Sequence, residues 1–158
     1  MRVYAALAAL MLVAAVGCSH KTTVETDHGP ATVTTSNDNK TVTVESKDAK
    51  VTVGGEIDAS KLGAPLYPGA EKSEGSYSMQ SAQESGSMAT FSTKDDFDKV
   101  YEYYKAHMPQ GSEKMKMSNG GESVASFSVI DPKKGETSVM ITAKDGQTQI
   151  LISHKDAK

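Results

Sequence analysis

The chain has 158 residues, a formal net charge of −3 at pH 7, 23% charged residues and a single cysteine. One cysteine cannot form an internal disulfide, and a slight acidic excess without a basic cluster disfavours nucleic acid as a partner. Beyond the N-terminus no segment is long and apolar enough to predict a membrane span, so the rest of the chain is expected to be soluble.

The N-terminus has the pattern of a secretion signal. Residues 1–17 read MRVYAALAALMLVAAVG, in which one cation precedes an uncharged stretch at 3–16. This stretch is too short to cross a bilayer as a helix, but it has the length of the apolar part of a signal peptide. Gly17 is the small residue expected at a processing site. We therefore predict a signal peptide over 1–17, with cleavage between Gly17 and Cys18.

The tetrapeptide AVGC at 15–18 resembles the lipobox of bacterial lipoproteins. The resemblance implies that Cys18 becomes the new N-terminus and carries a diacylglycerol and an N-acyl group, and several acyl chains anchor a protein stably. By the same resemblance, Ser19 implies sorting to the outer membrane of a Gram-negative cell, and the chain is expected to face the periplasm. The alternative is an ordinary secreted protein with an unpaired thiol, which is a liability in an oxidising compartment.

A nine-residue repeat follows the cysteine. Four valines share this spacing, namely Val24, Val33, Val42 and Val51, and turn-forming residues lie between them. A fixed period of strand-length segments and turns predicts repeated β units. Each repeat has few apolar side chains, however, and such segments do not build a core of their own. Residues 18–63 are therefore predicted to be a Thr/Val-rich β-repeat or a disordered tether.

Residues 64–158 are predicted to form an α+β domain. Strands are expected at 76–82 and 87–92, and the clearest helix pattern follows at 92–109. Its apolar stripe has helical spacing and consists of Phe97, Val100, Tyr101, Tyr104 and Met108. One apolar face at that spacing predicts an amphipathic helix, which Pro109 ends.

Further strands are predicted after the helix. The last two, at 137–144 and 147–154, form a hairpin around Asp145–Gly146, which is a strong two-residue turn signal. The predicted fold is α+β with the order ββαβββ. In it, a single amphipathic helix packs on one face of a curved antiparallel sheet, because that arrangement buries both apolar faces.

Two segments of this region, LYPGA at 66–70 and ATFSTKDDFDKVYEYYKAHMPQG at 89–111, carry a second resemblance. They are similar to small secreted or lipid-anchored bacterial domains of uncharacterised function. In those domains a YPGA segment precedes a strand, a polar cap and a helix carrying an aromatic-Tyr-Lys sequence. The resemblance implies a fold and a location, and it implies no activity.

The sequence supports an enzyme least. It contains no G-x-S-x-G nucleophile turn, and the glycines at 119–123 precede a strand, whereas a phosphate-binding loop precedes a helix. We therefore predict a non-enzymatic module that binds an envelope or periplasmic protein through the helix or an exposed sheet edge. The residues proposed for that surface are Tyr103, which lies off the apolar stripe, and Asp95, Asp96 and Asp98. Capping and the helix dipole also explain these three carboxylates.

The alternative prediction is a small-ligand or Cu(I)-binding lipoprotein. Met115 and Met117 are two residues apart in a predicted strand and would face the same side, and His107 lies upstream. Thioether and imidazole ligands select Cu(I). Methionines also fill core gaps without any such function. A purely structural spacer is a third possibility. Apart from the acyl groups on Cys18, we predict no cofactor.

Overall fold

The computed structural model describes residues 20–26, 29–36, 38, 40–73, 76–81 and 84–157. These ranges contain eleven strands, one α-helix and a short 3₁₀ helix. The predicted signal peptide and the two residues of its processing site, Gly17 and Cys18, lie outside the described residues.

The strands are β1 (His20–Thr26), β2 (Gly29–Thr35), β3 (Thr41–Glu45), β4 (Ala49–Gly54), β5 (Glu71–Lys72), β6 (Tyr77–Ser81), β7 (Ser85–Thr93), β8 (Glu113–Asn119), β9 (Glu122–Asp131), β10 (Gly135–Lys144) and β11 (Gln147–Lys155). Helix α1 (Phe97–His107) lies between β7 and β8 along the chain. The 3₁₀ helix, Ala59–Leu62, lies between β4 and β5.

All eleven strands belong to one antiparallel sheet. Its order is β1-β2-β3-β4-β6-β7-β11-β10-β9-β8, and β5 pairs with β7 off this path. A tight turn at Asp145–Gly146 connects β10 to β11, and its φ values of 53° and 76° give the left-handed geometry that matches strand twist. The predicted hairpin around this turn is confirmed by the β10–β11 register.

The predicted α+β class with the order ββαβββ is wrong. The fold is dominated by the sheet, to which one helix of 11 residues is added. Residues 20–54 supply β1 to β4, and β4 pairs with β6 in the same sheet as the later strands. The error has a physical cause. A repeat with too few apolar side chains for a core can still extend an existing sheet, because edge pairing satisfies its backbone groups.

Helix α1 and the middle of the sheet bury a shared core. The helix contributes Phe97, Val100, Tyr101 and Tyr104. The other members of the core cluster are Leu62, Tyr67, Ala89, Phe91, Met108, Ala125, Phe127, Val139, Ile141, Ile150 and Ile152. The ring centroids of Tyr101 and Tyr104 lie 5.8 and 6.4 Å from the ring centroid of Phe127.

Helix α1 begins later than predicted, since β7 continues to Thr93 and Asp96 is the N-cap residue.

Candidate functional site

The sheet has a second face, opposite the one that packs against α1. Side chains alternate along a strand, so the neighbours of a core residue point away from the core. Phe127, Val139 and Ile150 are core residues of β9, β10 and β11. Ser126 and Met140 therefore lie on the other side, which we call the open face. Among the described residues, α1 and the 3₁₀ helix both bury side chains in the core and so lie on the opposite side.

Cross-strand register extends the open face from β8 to β7. One row of partners runs from Met115 to Ser126, then to Met140, Leu151 and Thr90. Because paired residues of adjacent strands project to the same side, all five side chains belong to the open face.

The open face is rich in large apolar side chains. They are Val24, Val33, Val42, Val44, Val51, Val53, Tyr77, Met79, Met88, Met115, Met117, Val124, Ile130, Met140 and Leu151. Met117 is 56% exposed, Met140 is 41% exposed and Met115 is 38% exposed. Exposed apolar side chains grouped on one face mark an interaction site more often than single exposed side chains do.

Charge is confined to the two ends of this face on β9, β10 and β11. The ion pair between Glu122 and Lys144, at 2.5 Å, closes one end. Glu136 and Lys155 are register partners at the other end, and Lys155 also pairs with Glu84. Between these ends the positions carry Ser, Thr, Gln, Val, Leu and Met side chains. The centre of the face is therefore uncharged and the charges lie at its rim, as they do in many protein interfaces.

The open face contains two shallow cavities. One, of about 300 Å³, is lined in part by Tyr77, Met79 and Ser153. The other, of about 260 Å³, includes Val124 and Gln149 near the opposite end. Both are open to solvent at one side, so they suit protruding side chains of a partner better than an enclosed small molecule.

The sequence-predicted helix surface is engaged within the chain. The hydroxyl of Tyr103 donates to the carbonyl of Leu66 at 2.8 Å, and its ring stacks on His107 with centroids 4.1 Å apart. The Tyr67 ring meets Tyr103 edge-on at 5.1 Å. Tyr103 is thus half-buried and packs against the core, which leaves it less surface for a partner.

The aspartates beside it also have internal roles. Tyr67 donates to Asp95 at 2.6 Å and Lys99 pairs with it at 2.9 Å. These two contacts, the tyrosine hydrogen bond first, hold the pKa of the Asp95 carboxyl below its ordinary value. Asp96 is the N-cap residue of α1, although its side chain makes no capping hydrogen bond.

Asp98 ties the helix to the edge strand β8. Its carboxylate pairs with Lys116 at 3.0 Å, and the Lys116 ammonium lies 3.8 Å from the centroid of the Tyr101 ring. Together with the contacts of Asp95, this favours a structural interpretation of the acidic cluster. The geometry accounts for both carboxylates without an external ligand.

The three residues of the predicted Cu(I) set are not all brought together. Met115 and Met117 lie on the open face, opposite Ser126 and Val124. His107 ends α1 on the other side of the sheet, where its Nδ1 lies 2.7 Å from the Tyr103 carbonyl oxygen. Met140, two strands from Met115, is the soft side chain that sequence reasoning missed, since only the register reveals it. In the described ranges no group of three or more His, Cys, Asp or Glu side chains could hold a metal.

A polar groove of about 990 Å³ beside the 3₁₀ helix was also missed. His154 lines it, with Nδ1 2.8 Å from the Thr137 hydroxyl and Nε2 3.3 Å from Asp156. The hydroxyl of Ser85 donates to the same Asp156 carboxylate. The carboxylate therefore lies between serine and histidine. In a nucleophilic triad the histidine holds that middle place, so this arrangement does not activate Ser85.

The two edges of the sheet differ as docking sites. On β8 all seven residues are exposed, a bulge interrupts the register between Glu113 and Met115, and Lys114 and Lys116 are close by. Bulges and edge lysines are devices that oppose strand addition. The β1 edge is regular, with seven register pairs to β2.

No family model matches this chain, and no curated protein or solved structure matches it. Among the described residues, no helix has both the length and the apolar character that crossing a bilayer requires.

Proposed function

We propose that this protein is a lipid-anchored envelope protein that serves as a non-enzymatic binding module for another protein. The AVGC sequence at 15–18 supports an acyl anchor on Cys18, and Ser19 supports an outer-membrane location facing the periplasm. With the anchor in the membrane, the remaining chain presents its sheet to the periplasm.

The open face is the observation that supports binding. Its centre is uncharged over five strands and combines Met and Leu side chains with Ser and Thr, and its two ends carry both signs of charge. Flexible thioether side chains adapt to the shape of a partner, and methionine-rich surfaces are used in this way. The partner should present an uncharged apolar surface, because a charged group would lose its hydration against Met140 without gaining an opposite charge.

A pair of matched substitutions tests this surface. Met140→Lys places a charge at the centre of the open face, while Ala106→Lys places the same charge on the exposed side of α1. Crosslinking in living cells, followed by mass spectrometry, should recover one dominant partner with wild type and with Ala106→Lys. Met140→Lys should lose it. Equal recovery with both variants would exclude the open face as the binding surface.

The anchor needs a separate test. Cys18→Ser should move the protein from the membrane fraction to the soluble fraction, because the acylated thiol is lost. A Cys18→Ser chain that stays in the outer membrane would show that another feature holds it there. Since the open face is unaltered in this variant, binding of the partner in solution should be preserved.

A second candidate function is Cu(I) binding on the same face. Met115 and Met140 lie on either side of Ser126 in one cross-strand row, and Met117 follows two residues along β8. Thioethers are soft ligands that prefer Cu(I). Under reducing conditions, a Cu(I) titration with a chromogenic competitor should show weaker binding when Met115 and Met117 are both replaced by Leu. An unchanged affinity would exclude this site.

A further inference from the structure

The six methionines of the described ranges form a graded series of exposure. Met117, Met140 and Met115 are exposed by 56, 41 and 38% on the open face. Met79 and Met88 are half-buried on the same face. Met108 is only 7% exposed and belongs to the core cluster. Since oxidation of a thioether depends on access to its sulfur, the series separates three reactive positions from one protected position.

We propose that Met115, Met117 and Met140 form a reversible oxidation site, with a two-electron oxidant such as hydrogen peroxide as the co-substrate. The thioether sulfur attacks one peroxide oxygen, so that an S–O bond forms and the O–O bond breaks. Sulfur loses two electrons to become the sulfoxide, and the second peroxide oxygen leaves as water after proton transfer. Methionine sulfoxide reductases reverse this modification.

The fold should tolerate oxidation of these three methionines. None of the three sulfurs contributes to the core cluster, and Ser126, which separates Met115 from Met140, is too small to cover either side chain. A sulfoxide at Met108 would place a polar group among Tyr104 and its neighbours, which destabilises a core. Oxidation therefore alters the surface before it alters the structure.

Oxidation should alter the open face strongly because the three methionines lie on its uncharged part. Each sulfoxide is a strong dipole with a hydrogen-bond acceptor, and covering it with an apolar partner leaves that acceptor unsatisfied. Three such groups on β8 and β10 of the open face should release the partner. This consequence rests on the proposed function, whereas the modification site itself does not.

Peptide mapping of the purified full chain tests the site. During a time course in hydrogen peroxide, the 16 Da increment of a sulfoxide should appear first at Met117, then at Met140 and Met115. Met108 should react at least about tenfold more slowly, as its lower exposure requires. The far-UV circular dichroism should be unchanged while the first three react. Oxidation of Met108 at the same rate, or loss of structure first, would overturn the proposal.

Crosslinking after peroxide treatment tests the regulation. Wild type should lose its partner once the three sulfoxides form. A triple variant, Met115→Leu with Met117→Leu and Met140→Leu, keeps apolar side chains of similar volume and should retain the partner. Retention by fully oxidised wild type would overturn the regulatory role. If untreated wild type captures no partner, the proposed function fails, and the mapping result alone decides the oxidation site.

Discussion

The hydroxyl of Tyr104 offers a direct test of the core. Its side chain is 0% exposed, and its oxygen has no hydrogen-bond partner among the described residues. The backbone of Tyr67 lies near enough to lower its pKa slightly, but it does not satisfy hydrogen-bond geometry. Burial dominates and raises the pKa of the phenol far above its ordinary value. Tyr104→Phe removes only this oxygen and leaves the ring contact with Phe127.

The substitution should stabilise the protein. A buried polar group without a partner costs about 1–3 kcal/mol, because it loses its hydrogen bonds to water. Deleting one oxygen leaves a small void, which costs a few tenths of a kcal/mol, on the order of 0.3 kcal/mol. The net gain should therefore be about 1 kcal/mol or more in the free energy of unfolding. In a chain of this size that corresponds to a Tm increase of roughly 2–4 °C.

The stabilisation that Tyr104→Phe gives should increase at alkaline pH. The unfolded phenol ionises near its ordinary pKa of 10.0, while the folded phenol stays neutral because its pKa is raised. The folded protein therefore keeps its full stability below pH 10.0, and it loses stability as the pH rises above the pKa of the unfolded phenol. Phenylalanine cannot ionise, so Tyr104→Phe removes this loss. Unfolding of both proteins at pH 7 and pH 11 measures the difference.

Urea denaturation in a Cys18→Ser background, with Tyr101→Phe as the matched control, is the decisive assay. The Tyr101 hydroxyl donates to Glu113 at 3.0 Å, so its removal should destabilise the protein by about 1 kcal/mol. Two chemically identical deletions three residues apart should thus have opposite signs. A Tyr104→Phe protein less stable than wild type would refute the reasoning, because the hydroxyl would then have a favourable partner.

Three further predictions concern stability. Asp95→Asn should lower the Tm at pH 7, and the difference from wild type should vanish in acid, because the stabilisation from a lowered carboxyl pKa exists above 3.8 and is lost as pH falls through the folded value. Thermal melts across pH measure this, and a constant difference would contradict it. Gly63→Ala should cost more than about 1 kcal/mol, since φ is +68° and the new Cβ would lie 2.8 Å from the His154 ring. Phe127→Ala should cost about 3–5 kcal/mol in urea denaturation, because it empties the space between helix and sheet; a loss below about 1 kcal/mol would show that this core is not packed as described.

The sequence by itself determined those helices, strands and turns that are set by interactions between residues close together in the chain. Asp145–Gly146 predicts its hairpin because two consecutive positions can adopt positive φ there. The apolar stripe from Phe97 to Tyr104 predicts α1 because helical spacing places those side chains on one face. The nine-residue repeat likewise predicts strand-length segments, and each repeat valine lies in a strand of its own.

Only the tertiary structure decided how these elements associate. Pairing of β4 with β6 joins the repeats to the later strands, and no local signal specifies that partner, because an edge hydrogen-bonds to any matching backbone. The register then sets Met140 in line with Met115, which are 25 positions apart in sequence. The same tertiary contacts engage Tyr103 and Asp95 internally. A residue's spacing indicates its face, but which face is left uncovered depends on everything else that packs on the sheet.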